Sequence, residues 1–90
     1  MPSYLVETYL ADGYAGQREI YQRRARSAAL QLTREGTPIR LERSIHIPDD
    51  EICFFVFDAP SSVDAARVAE RAELDAIRVV EAVSSEEEER

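Results

Sequence analysis

The sequence predicts an α+β sandwich: four antiparallel strands with two helices packed on one face. Three observations predict it. The stretch from Ile39 to Ala59, IRLERSIHIPDDEICFFVFDA, reads as two strands around a Pro-Asp-Asp turn. Two segments with a helical apolar stripe, residues 17–35 and 63–72, each follow a strand-like segment. The periodic segments run strand, helix, strand, strand, helix, strand, so two βαβ-like halves meet through the hairpin. That order is the ferredoxin-like βαββαβ arrangement, which leaves one sheet face without helices.

The elements follow from local chemistry. In residues 3–10, Tyr4, Val6, Thr8 and Leu10 share one face, and Leu5, Glu7 and Tyr9 share the other. The segment Ala11 to Gly16 holds two glycines and reads as a break, a candidate lid. It has neither a G-x-G-x-x-G nor a Walker pattern, so it is not a phosphate loop. In the first helix Tyr21, Ala25, Ala28 and Leu32 form the stripe, with Ile20 and Ala29 beside it, and the arginines lie largely off it. Gly36 is placed to end that helix in a left-handed conformation, and Pro38 keeps the chain extended.

Residues 39–47 alternate. Ile39, Leu41, Ile45 and Ile47 are expected on one face, with Arg43 the odd member, and Arg40, Glu42, Ser44 and His46 on the other. Residues 52–57 are apolar on both faces, as in a central strand covered on both sides. Cys53, Phe55 and Phe57 are expected to face the helices, leaving Phe54 and Val56 on the open side. Ser61, with Asp64 three residues on, resembles a capping box for the second helix, with Ser62 as an alternative cap. Ala65, Val68, Ala69 and Ala72 make its stripe. Residues 74–77 are expected to turn the chain, and residues 78–83 to form the fourth strand. Residues 1–84 are then one domain, and residues 85–90 an acidic tail expected to be disordered and dispensable.

Ninety residues allow one domain with a thin core, and self-association is a common remedy. No apolar run approaches the ~20 residues that span a bilayer, so no membrane partner is expected. The amino end lacks a basic n-region and carries Glu7 within its apolar run, unlike a signal peptide. A cytoplasmic location is the expectation. Cys53 is the single cysteine, so no intrachain disulfide forms. The net charge of −7 argues against nucleic acid, whose phosphates it repels. All eleven basic residues are arginine, which together with the alanine richness reads first as a coding bias.

Few residues carry chemistry. His46, the only histidine, can bind a metal or act as a base near neutral pH. A metal would need more donors, with Glu7, Asp49, Asp50 and Glu51 as candidates. The plain reading of His46 is a surface or interface side chain. The three acidic residues are explained by turn chemistry, and their spacing is not that of an EF-hand. Cys53 reads as inert core. Glu7, inside an apolar strand, must be exposed, paired or shifted in pKa, and Arg40, Arg43 and Arg78 are its possible partners. Tyr4, Tyr9, Tyr14 and Phe54 are candidates to line a pocket between subunits. No nucleophile–base pair is visible.

The segments SYLVETY, IHIPDDEICFFVFDAPSS and ERAELDAIRVVEAV resemble a family of small bacterial ferredoxin-like domains of unknown function that includes a nickel-binding protein. The resemblance spans nearly the whole chain except the acidic tail. It implies a homodimer and, by likeness alone, nickel. The chain departs from the nickel binder by having one histidine, and Val6, Thr8 and Tyr9 where that relative has Asp and His. Glu73 and Asp75 stand where the family commonly has Gly and Pro.

The resulting expectation is a cytoplasmic homodimer. It would join through the open sheet face and bind a small molecule or divalent metal in the cavity there, with His46 and Glu7 as metal ligands and Ni²⁺ as the metal. The alternative is a cofactor-free monooxygenase or isomerase of the dimeric α+β barrel type, using Glu7, His46 and the tyrosines.

Overall fold

The computed structural model describes residues 1–10 and 16–83. The expected lid and the acidic tail lie outside the described residues. The elements are β1 (Ser3–Tyr9), α1 (Gln17–Arg34), β2 (Arg40–Ile47), β3 (Ile52–Asp58), α2 (Ser62–Arg71) and β4 (Ala76–Ala82), with a 3-10 turn at Pro48–Asp50. The four strands form one antiparallel sheet in the order β2-β3-β1-β4. This is the ferredoxin-like fold. β4 starts at Ala76, inside the stretch expected to turn, because the turn is compressed into Glu73 and Asp75, both at positive φ.

Both helices lie on one face of the sheet, and the core fills the space between. From the sheet come Tyr4, Val6, Cys53, Phe55 and Phe57; from the helices come Ala25, Ala28, Ala29, Leu32, Ala65, Val68 and Ala69. Alanines on the helices let them approach closely, and the two phenylalanines fill the gap. Ile20 is 44% exposed, so the stripe of α1 is narrower than its sequence suggests.

The two helices stop by the same device. The Thr37 N–H donates to Leu32 O and the Gly36 N–H to Thr33 O, a Schellman motif around Gly36 at φ 109°. At the end of α2 the Leu74 N–H donates to Ala69 O and the Glu73 N–H to Glu70 O. Here the left-handed residue is Glu73, at φ 57°, and Leu74 is fully buried beyond it. The Arg24 guanidinium donates to the carbonyls of Ala72 and Glu73 and stacks on the Tyr21 ring, satisfying acceptors the helix leaves open. α2 starts on Ser61, whose Oγ accepts from the Asp64 N–H at 3.2 Å.

One local feature decides the site. β2 is bulged against β3: Leu41 pairs with Phe57 and Arg43 with Val56, leaving Glu42 without an opposite residue. A bulge inserts one residue and reverses the alternation beyond it. Leu41 packs on the helix-side core, and so does the buried Ile39. Beyond the bulge Arg43, Ile45 and Ile47 turn to the open face, and Ser44 and His46 to the helices. Expecting Ile39, Leu41, Ile45 and Ile47 on one face is therefore corrected: the four divide between the two faces.

Candidate functional site

The open face of the sheet reads directly from the register. β1 supplies Ser3, Leu5, Glu7 and Tyr9, and β3 their partners Asp58, Val56, Phe54 and Ile52. β2 adds Arg40, Arg43, Ile45 and Ile47, and β4 adds Arg78, Val80 and Ala82. The middle of this face is apolar. Leu5, Ile52, Phe54 and Val80 are half-buried, Val56 is buried, and Ile45 is 41% exposed.

Two ion pairs flank that apolar centre. Arg78 Nε donates to Glu7 Oε1 at 2.9 Å, so of the three arginines considered for Glu7 the fold selects Arg78, its cross-strand neighbour. Arg40 donates to Asp58 Oδ2 through Nε at 3.1 Å and an η nitrogen at 2.7 Å, and Ser3 Oγ donates to Asp58 Oδ1 at 2.8 Å. Burial pushes the Asp58 carboxyl up, but these donors outweigh it and hold the group below the usual carboxylate value. Tyr9 is on this face, with its hydroxyl donating to Glu51 Oε1 at 2.7 Å. Tyr4 is not: it is buried among the core residues on the helix side. Tyr14 lies outside the described residues. Phe54 is on the open face, as expected.

His46 is opposite Cys53, on the helix side, where its neighbour Ser44 donates to Gln22 Oε1 of α1 at 3.0 Å. Glu7 is opposite Phe54, on the open side. The sheet thus separates His46 from Glu7 within the chain, and the bulge at Glu42 is the cause. Asp49 and Asp50 are exposed in the 3-10 turn, and Glu51 sits at φ 55° after it. Among the described residues, no three His, Cys, Asp or Glu side chains are grouped so that they could hold a metal ion.

Sequence reading missed a row of three side chains under α1. Thr8 pairs with Cys53, and Cys53 with His46, so β1, β3 and β2 each place one polar group on the helix-side face at the same level. Thr8 and Cys53 are fully buried. Thr8 Oγ1 and His46 Nε2 are both buried without a hydrogen-bond partner among the described residues. The alternation of β1 had already put Thr8 among Val6 and Leu10. What hid the row was the bulge, which brings His46 to the same side.

A second groove, of about 790 Å³, opens between α1, α2 and β4, with Tyr21, Arg24, Glu70, Glu73 and Asp75 among its walls. Its arginine is already committed to the end of α2. No described helix is long and apolar enough to cross a membrane.

No protein-family model and no curated protein matches the chain. Among solved structures, the chain is similar to the crystal structure of SCO4226 from Streptomyces coelicolor A3(2), with a TM-score of 0.68 and 19% identity, covering 93% of this chain and 99% of that one. At that identity the likeness is one of fold.

Proposed function

We propose that the chain is a cytoplasmic homodimer that closes its open sheet face on a second copy and holds a small, largely apolar ligand between the two sheets. The observation that carries this reading is the apolar centre formed by Leu5, Ile45, Ile52, Phe54 and Val80, which no described helix covers. A central strand with large apolar residues on both sides needs a cover on both. A second copy supplies an apolar surface of the same kind. The ion pairs Glu7–Arg78 and Arg40–Asp58 at its margins suit a polar rim. A stable dimer of this kind buries roughly 1,200–2,000 Å² in total.

The enzymatic alternative needs Glu7 as an acid or base. Glu7 is engaged by Arg78, and His46 lies across the sheet from it, which favours the binding reading. Nickel, implied by family resemblance, enters this reading only as a test. Ni²⁺ titrated into the parent and into His46→Ala is expected to give the same weak heats, and a clear loss in the variant would return His46 to a nickel site.

Light scattering at micromolar concentration tests the dimer. The parent should have the mass of two chains and Phe54→Arg that of one. A monomeric parent, or a variant of unchanged mass, overturns the reading. Native mass spectrometry of the purified parent then reads any small molecule carried between the sheets.

A further inference from the structure

We propose that Cys53 and His46, with Thr8 beside them, form a copper(I) site beneath the first turns of α1, separate from the open face. Three observations meet here. Cys53 and His46 are directly opposite on β3 and β2, and Thr8 is opposite Cys53 on β1. Residues so placed on one face hold their Cβ atoms about 4.5–5.5 Å apart, close enough for a sulfur and an imidazole nitrogen to share one ion. The second observation is that Thr8 Oγ1 and His46 Nε2 are buried and have no hydrogen-bond partner among the described residues. Each such orphan is destabilising, so an occupant that engages them is favoured. The third is access: Thr8 and Cys53 are sealed, while His46 is half-buried on edge strand β2 and leaves a way in.

The donor set selects the metal. Thiolate and imidazole are the only strong donors in the row. Zinc asks for four ligands and calcium for six or more. Monovalent copper is soft, prefers thiolate, and is stable with two donors in line. The binding step balances simply. The Cys53 S–H bond breaks, an S–Cu bond forms, the proton leaves to solvent, and His46 Nε2 donates its lone pair. Copper stays monovalent throughout.

Burial pushes the Cys53 thiol up, while the Arg18 guanidinium pulls the other way. The orphan hydroxyl of Thr8 is a donor suited to the sulfur once it is charged. This chemistry depends on neither the dimer nor its ligand.

The test is anaerobic titration of the full chain with copper(I), supplied as its acetonitrile complex, against a chromogenic copper(I) chelator. The parent is expected to hold one equivalent, with X-ray absorption at copper showing one sulfur and one nitrogen. Excess Ni²⁺ should leave the copper in place. Cys53→Ser and His46→Gln, both close in shape, should surrender it while keeping the parent's circular dichroism. Thr8→Val should bind about tenfold more weakly, as expected for a supporting hydrogen bond. Parent-like binding by either ligand variant overturns the site, and so does a parent that yields all its copper to the chelator. The absorption spectrum of the parent decides even if a variant fails to fold: nitrogen and oxygen ligation without sulfur is incompatible with the site.

Discussion

The two faces of the sheet differ less in composition than in what covers them. The helix side carries Val6, Cys53, Phe55 and Phe57, none of them exposed to solvent. The open side carries Leu5, Ile52, Phe54 and Val80, equally apolar and only half-buried. On the first face the chain finishes its own core with alanine-rich helices. On the second it has no segment left to do so among the described residues. On the proposed reading, the helix side answers for folding and the open side for association.

Replacing one phenylalanine on each side should break this comparison most sharply. Phe55→Ala removes a fully buried ring and should cost about 3–5 kcal/mol of stability, measured by denaturant unfolding. That loss should not depend on protein concentration. For its neighbour, Phe54→Arg should act through association instead. The parent's Tm should rise with protein concentration and the variant's should not, because only a dimer is stabilised by mass action. Equal losses from both at every concentration would erase the proposed division.

The rim of the open face offers a smaller, pH-dependent test. The folded pKa of Asp58 lies below its unfolded value, despite burial, because of Ser3 and Arg40. Its contribution is therefore complete above the unfolded carboxylate value, near pH 4, and is lost as pH falls through the folded value. Asp58→Asn should cost about 1–2 kcal/mol at neutral pH, and parent and variant should converge in acid. A gap that stays constant down to low pH would assign the effect to packing.

The smallest effect lies on the helix side, where the two Schellman motifs form a matched pair. One uses Gly36 and the other Glu73 in a left-handed conformation. A side chain there costs about 1–2 kcal/mol, partly offset by the greater freedom of an unfolded glycine. Glu73→Gly should stabilise the protein by about 0.5–1 kcal/mol, read as a higher denaturant midpoint. An unchanged midpoint would show that the Glu73 side chain compensates for its own backbone.

The sequence by itself determined the order of elements, because each carries its own period or cap. The 3.6-residue stripes of α1 and α2, Ser61 before Asp64 and Gly36 after Arg34 are all local signals. It also determined which residues of β1 and β3 face the helices, since unbroken alternation preserves parity along a strand. Only the tertiary structure decided the face of His46. A bulge forms when two paired strands accommodate unequal lengths, and β2 had to meet β3 before Glu42 became the extra residue. That one residue moved His46 away from Glu7 and set it opposite Cys53. The partner of Glu7 was decided in the same way, because Arg78 reaches it only once β4 lies beside β1, 71 residues along the chain.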